Sequence, residues 1–221
     1  MYEHAPAFAA DGIHLVSTDE MTGIQALERA APTQPMRPGK LKRQEFEYIR
    51  HGTLSLIANW QIASGGIGQV SIGATRNEFD FANHLANTIE TDPEASWIFV
   101  LDQLNTHQSA SLVRLVAACC QLDLDLGIKG QSGILHSMAS RSAFLSDPTH
   151  RIRLVYVPKH TSWLNQIECW FSILVRRLIR RGNFTSTEDL KQQIQAFIQY
   201  FNCTMAKPFN WKFQGFEPKL Q

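Results

Sequence analysis

The run Trp97-Ile98-Phe99-Val100-Leu101, closed by Asp102, constrains the fold more than any other feature of the chain. It has no polar face, so a strand built from it must be covered on both sides. A doubly covered strand needs helices packed on each face of its sheet. The segments on either side supply such helices. Residues 78–91 place Phe79, Ala82, Leu85, Ala86 and Ile89 at helical spacing, and residues 109–120 also read as a helix.

The rest of the chain extends this pattern. Residues 13–19 read as a short strand that also ends on an acid, Asp19. Residues 20–51 contain Pro32, Pro35, Pro38 and Gly39 and read as a long irregular connection. Residues 53–62 alternate, with Leu54, Leu56, Ala58, Trp60 and Ile62 on one face, which predicts a half-buried strand. A turn at Ser64-Gly65-Gly66 leads to a second alternating run, Val70, Ile72 and Ala74, completing a hairpin. Residues 121–150, with Gly127, Gly130 and Gly133, resemble an insertion more than a core element. A strand over 152–157 stops at Pro158, and a helix over 164–181 carries the stripe Ile167, Phe171, Leu174 and Leu178. Ser186 with Asp189 starts a last helix that faces the core through Ile194, Phe197, Ile198 and Phe201. Three antiparallel strands followed by strands joined through helices imply a single α/β domain with a mixed sheet.

Composition sets outer limits. With 44% hydrophobic and 19% charged residues, the 221-residue chain is globular, not disordered, collagenous or a coiled coil. The net charge of +1 argues against a protein held to nucleic acid by bulk positive charge. That sum hides a partition. Residues 78–125 hold eight acids against one base, Arg114, while residues 151–221 hold eleven bases against four acids. Residues 37–51 add five bases, Arg37, Lys40, Lys42, Arg43 and Arg50. Such segregation suits an acidic centre framed by basic surface. Cys119, Cys120, Cys169 and Cys203 form no C-x-x-C pair and read as reduced, buried thiols of a cytoplasmic protein. No apolar run is long enough to span a bilayer, so no membrane partner is expected.

Two strands ending in acids place Asp19 and Asp102 where open α/β sheets bind ligands. Glu168 lies early in the helix after the last strand, at the border of its buried face. Three convergent carboxylates repel one another unless they share a cation or a proton. Oxygen ligands without a Cys or His cluster favour Mg²⁺ or Mn²⁺ over Zn²⁺. Read without further context, the three acids could equally be unrelated surface residues.

Their surroundings decide otherwise. Asp102 opens Asp-Gln-Leu-Asn-Thr-His (102–107), and Glu168 closes Pro-Lys-His-Thr-Ser-Trp-Leu-Asn-Gln-Ile-Glu (158–168). Together with Ser-Thr-Asp-Glu-Met-Thr-Gly-Ile-Gln-Ala-Leu (17–27) and Glu-Tyr-Ile-Arg-His-Gly-Thr (47–53), these blocks resemble those of DDE transposases of the mariner-like bacterial insertion-sequence group, across residues 13–212. The resemblance implies a ribonuclease-H-like fold, a five-stranded mixed sheet flanked by helices with the first and fourth strands adjacent. It implies Asp19, Asp102 and Glu168 as a catalytic, metal-binding triad holding two Mg²⁺ or Mn²⁺ ions. It further implies double-stranded DNA as partner, cut at transposon ends and joined to target DNA by a homodimer in the bacterial cytoplasm, at the nucleoid when bound. Members of the group carry helix-turn-helix modules ahead of the catalytic domain, so those modules are expected outside this chain. The alternative is a catalytically silent, DNA-binding relic of a transposase.

Further residues follow from the blocks. Strand alternation allows only one of Asp19 and Glu20 to reach the site, and the resemblance favours Asp19. His107 and His160 can contact phosphate or a metal-bound water, or simply hydrogen-bond, and Asn165 can orient Glu168 or touch DNA. Trp163, Trp170 and Phe171 read as packing residues of the core or of the site wall. Arg176, Arg177, Arg180 and Arg181, with the basic connection Arg37–Arg50, are candidate phosphate contacts.

Overall fold

The computed structural model describes residues 1–212. Five strands, β1 (Ile13–Arg29), β2 (Tyr48–Gln61), β3 (Gly66–Gly73), β4 (Ser96–Leu101) and β5 (Ile152–Tyr156), form one sheet in the order β3-β2-β1-β4-β5. The first three strands are antiparallel neighbours, while β1, β4 and β5 run parallel. The first and fourth strands are therefore adjacent, as the ribonuclease-H-like expectation requires. Helices α2 (Glu78–Ile89), α3 (Ala110–Cys119) and α4 (Met138–Leu145) cover one face. Helices α1 (Ala5–Ala10), α5 (Ile167–Leu174) and α6 (Thr187–Thr204) cover the other.

The apolar run in β4 divides its residues between the two cores. Ile98 and Val100 enter the α5/α6 core, while Trp97, Phe99 and Leu101 enter the α2/α3 core. Double covering also changes the outlook of β2. Instead of half-burial, the whole stretch from Ser55 to Trp60 is buried, because Ser55, Ile57 and Asn59 meet the second layer.

β1 extends ten residues beyond its expected end at Asp19 and pairs with β2 out to Arg29↔Tyr48. A register shift between Met21 and Ile24 absorbs the bend, with Gly23 at φ 66° supplying the left-handed conformation such a bulge uses. The irregular connection shrinks accordingly to residues 30–47, where the bridges Gln34↔Arg43 and Arg37↔Lys40 build a narrow arm. The pairing of β1 with β4 stops at Ser17↔Val100, so Asp19 still lies just past the end of the parallel section.

Three further expectations need correction. Phe79 is 64% exposed and Phe81 takes its place in the core. Residues 121–150, expected to contribute little to the core, supply α4 and the fully buried Leu135 and Leu145 to it. Cys169 and Cys203 are exposed, although all four cysteines are free as expected. Among the described residues no helix is long and apolar enough to cross a membrane.

The helix face that turned Phe79 outward brings His84 and Thr88 onto a buried polar network. Thr18 Oγ1 donates to Asn59 Oδ1 (2.6 Å), and Asn59 Nδ2 donates to Thr88 Oγ1 (2.7 Å). His84 Nε2 lies 3.0 Å from Asn59 Oδ1, and its Nδ1 lies 2.9 Å from Ser71 Oγ. An amide oxygen only accepts, so Nε2 carries the proton and Nδ1 accepts from the serine hydroxyl. The ring is thus satisfied as a neutral imidazole, and burial pushes its pKa down to about 3. The unfolded chain takes up a proton at this histidine near pH 6.5, whereas the folded chain resists until about pH 3. Stability from this residue is complete above pH 6.5 and is lost as the pH falls through that window, by up to about 1.4 kcal/mol per pH unit. Urea titrations of wild type and His84→Gln at pH 7.5 and 5.0 are expected to show a smaller acid loss in the variant.

Candidate active site

Asp19, Asp102 and Glu168 arrive from three elements. Asp19 is a buried residue of β1, Asp102 follows the last residue of β4, and Glu168 sits half-buried in the first turn of α5. Their mutual influence shows in their acidities. Burial pushes Asp19 up to about 7, with the Asp102 and Glu20 charges adding to it and His107 and the Glu20 amide opposing. Glu168 is raised by burial and then by the charge of Asp102. Asp102 also meets a burial penalty, but the hydrogen bond and charge of His107, with the Leu104 amide, hold it below the ordinary carboxylate range.

The segment before α5 fixes two of these acids relative to each other. A 3₁₀ turn over Ser162–Leu164 delivers Asn165, which is fully buried. Its Nδ2 donates to Asp19 Oδ2 (3.1 Å) and to the Thr18 carbonyl (3.0 Å), while its Oδ1 accepts from Ser17 Oγ. Ser17 Oγ in turn accepts from the Ile167 amide (2.9 Å), and the Glu168 amide donates to the Asn165 carbonyl (3.1 Å). The start of α5 is thereby pinned to Ser17 and Thr18, the two β1 residues before Asp19. The Asn165 side chain is buried, and the carboxylate it contacts is that of Asp19.

His107 occupies a 3₁₀ turn over Asn105–Gln108 and is fully buried. Its Nδ1 lies 2.7 Å from Asp102 Oδ1 and its Nε2 lies 2.8 Å from Glu20 Oε2. Burial would lower its pKa, but the hydrogen bonds and charges of Asp102 and Glu20 and the charge of Asp19 raise it to about 10. Flanked so, His107 is closed to phosphate. Glu20, expected to point away from the site, is drawn into it by this ring. Strand alternation does send Asp19 towards α5 and Glu20 towards the α2/α3 layer. His107 reaches Glu20 from that layer and Asp102 from beneath the end of β4, so both faces of β1 feed one cluster. The signal in the sequence was the Asp-Glu doublet itself, paired with a His five residues after Asp102.

Among the described residues, Asp19, Glu20 and His107 offer ligand atoms within 4.8 Å of one another, whereas Asp102 and Glu168 fall outside that tight group. The Asp19 and Glu20 carboxyls of this group, with Asp19 raised to about 7 and the Asp102 charge acting on it, fit a hard divalent cation: the donors are oxygens and like charges need an offset.

Two clefts flank the acids. One, of about 460 Å³, is lined by Glu20, Met21, Glu168, Phe171, Arg176 and Arg180. The other, of about 350 Å³, is lined by Asp102, Leu104, Pro158, Lys159 and His160, with His160 held at φ 63°. The helix carrying Glu168 does not continue evenly to Arg181. It widens into a π-helical turn over Val175–Ile179, closed by the Arg180 amide donating to the Val175 carbonyl (2.9 Å). Arg176 and Arg180 line the first cleft, while Arg177 and Arg181 are exposed and are not among its lining residues. Arg37, Lys40, Lys42 and Arg43 lie on the exposed arm, and Arg50 is exposed on β2, so the fold does not bring these five to the carboxylates. Trp170 and Phe171 are buried as expected, and Trp163 is 48% exposed.

Residues 14–191 match the family model described as DDE superfamily endonuclease, a span that includes all three acids. No curated protein matches the chain. Among solved structures, the chain is similar to the Mos1 transposase paired-end complex with left transposon end (14% identity, TM-score 0.53, covering 84% of this chain and 48% of that one). It is also similar to the Mos1 mariner paired end complex with Mn (12%, TM-score 0.54, 90% and 54%) and to the catalytic domain of Mos1 mariner transposase (10%, TM-score 0.51, 88% and 75%). The chain spans about half the length of the first two. At these identities the likeness carries the fold, which is the ribonuclease-H-like fold of that catalytic domain.

Proposed function

The chain belongs to the DDE superfamily endonucleases, and from that premise we propose that it is the catalytic domain of a DNA transposase of the mariner-like insertion-sequence type. Its reaction is metal-dependent cleavage at transposon ends followed by strand transfer into target DNA. What supports this reading most is that Asp19 and Asp102 lie just past the parallel pairing of the adjacent strands β1 and β4 and Glu168 in the first turn of α5, with the Asp102 charge felt by both other acids.

In this reading the three carboxylates would hold divalent cations, Mg²⁺ or Mn²⁺, and a pair of them would supply activation of the attacking oxygen and charge stabilisation of the leaving one. Asn165 keeps Asp19 turned towards the α5 side of the sheet. Phe171 walls the cleft beside Glu168, and Arg176 and Arg180 present guanidinium groups to the scissile strand. His160 and Lys159 bound the opposite side of Asp102 and meet the DNA there. Arg177, Arg181, Arg50 and the arm residues Arg37, Lys40, Lys42 and Arg43 follow the duplex farther from the reacting phosphate. The active assembly is a homodimer on paired ends, acting at the bacterial nucleoid.

The test is cleavage of DNA carrying the element's ends in Mg²⁺ or Mn²⁺ by wild type and Asp102→Ala. Cleavage by wild type alone supports the reading, and equal cleavage by both overturns it. DNA binding with no metal-dependent cleavage by either would favour the silent relic. Replacing Arg176 and Arg180 together by Ala is expected to weaken DNA binding and to reduce the slope of log K against log salt by about 2, at about 0.9 per phosphate contact. Fluorescence anisotropy over a salt series measures it.

A further inference from the structure

We infer that Glu20 and His107 act as a buried positioning pair that fixes the orientation of Asp102. The inference rests on the reading of Asp102 as a metal ligand. Two contacts make the chain: Glu20 Oε2 to His107 Nε2 is 2.8 Å, and His107 Nδ1 lies 2.7 Å from Asp102 Oδ1 and 3.2 Å from the Asp102 carbonyl. The two outer links are the least exposed part of the site. The His107 side chain is 0% exposed and that of Glu20 1%, against 31% for Asp102. A half-exposed carboxylate at a strand end can turn about its side-chain bonds, and an oxygen tied to a buried ring cannot. The tie therefore commits Asp102 Oδ1, which also accepts from the Leu104 amide (2.9 Å), and leaves Oδ2 for a cation.

The ring is itself held from other sides. Phe81 packs against it with centroids 4.3 Å apart, and Tyr156 Oη donates to the His107 carbonyl (2.8 Å). Glu20 closes the chain from the neighbouring strand, so the position of Asp102 at the end of β4 is referred back to β1, which carries Asp19. Glu20 Oε1 is buried without a hydrogen-bond partner, an arrangement that costs stability and has no use in packing alone. Asp19 is thus tied to the start of α5 by Asn165 on one face of the sheet, and Asp102 is tied to β1 by Glu20–His107 on the other.

The test measures Mn²⁺ binding by isothermal titration, and beside it the initial DNA-cleavage rate against Mn²⁺ concentration, for wild type, Glu20→Gln, Glu20→Ala, His107→Asn and His107→Gln, with Asp102→Asn as reference. A variant that merely folds less completely lowers the maximal rate at an unchanged half-saturating Mn²⁺ concentration. Loss of positioning raises that concentration, by about tenfold or more for a residue that orients a metal ligand. Glu20→Gln keeps an acceptor for His107 and is expected to stay within about threefold of wild type, whereas Glu20→Ala shifts fully. The amide of His107→Asn replaces the donor at Nδ1 and that of His107→Gln the donor at Nε2, so Asn is expected to retain tighter metal use than Gln. Equal half-saturation in wild type and Glu20→Ala overturns the inference. So does equal impairment of Glu20→Gln and Glu20→Ala, which would make Glu20 a ligand. Should Glu20→Ala not fold, the order of the two His107 variants decides. Unimpaired cleavage by Asp102→Asn would instead overturn the functional reading beneath it.

Discussion

Asp102→Asn is expected to lower the rate of metal-dependent DNA cleavage about a thousandfold or more, with the fold intact. The magnitude follows from the role: charge stabilisation by a bound cation supplies several kcal/mol to the transition state, and each 1.36 kcal/mol is about tenfold in rate. The substitution is isosteric and leaves an oxygen to accept from the Leu104 amide, so the strand end and its turn persist. It removes one charge from a crowded set, which relieves Glu168, whose acidity the Asp102 charge disturbs. It also removes a charge that His107 and the Leu104 amide favour, so thermal melting of metal-free protein is expected to fall modestly while cleavage is lost almost entirely. Single-turnover cleavage and a melting curve on the same preparation check both halves. Loss of cleavage only in proportion to the fraction unfolded would point to a structural acid instead.

Asn165→Ala is the second large effect, and here stability falls together with activity. The side chain is fully buried and serves Asp19, the Thr18 carbonyl and Ser17 at once. Its removal leaves a buried carboxylate, a carbonyl and a hydroxyl short of partners, and each such group costs about 1–3 kcal/mol when orphaned. Relaxation recovers part of this, so a net loss of about 2–4 kcal/mol in urea unfolding is expected. Asp19 also loses its tie to the segment that starts α5, so cleavage by the folded fraction is expected to drop about a hundredfold, as positional errors near 1 Å do. Asn165→Asp keeps the shape but sets a second carboxylate against Asp19, and is expected to be no better. An Asn165→Ala protein as stable and as active as wild type would show that the link from β1 to α5 is carried elsewhere.

Much of this arrangement was legible in the residues, for physical reasons that differ by element. The run at residues 97–101 announced a strand covered on both faces because burial left it no polar side. The helix start at Ser186 was readable because capping is local chemistry, and that serine does accept from the Asp189 amide. What escaped were features set by long-range pairing. The extension of β1 to Arg29 depends on β2 lying beside it, and no window of the strand alone reveals that partner. Phe79 and Phe81 are equivalent to a periodicity count, and the polar face that decides between them is usable only because Asn59 waits for His84 across the sheet. At the site, the three acids were legible from their sequence blocks, but Glu20 was set aside by a correct rule about strand faces. The rule held, since Glu20 does leave β1 on the opposite side from Asp19. A histidine under the end of β4 then joined the two faces, and that bridge exists only in three dimensions.

The central claim is that Asp19, Asp102 and Glu168 together hold the divalent cation that cleaves DNA. Isothermal titration with Mn²⁺ of wild type and of Asp19→Asn, Asp102→Asn and Glu168→Gln tests it most directly, each protein first shown to be folded. Saturable binding by wild type that weakens at least tenfold in each single variant is the predicted result. Wild-type binding that survives unchanged in all three, or no saturable binding at all, would contradict it.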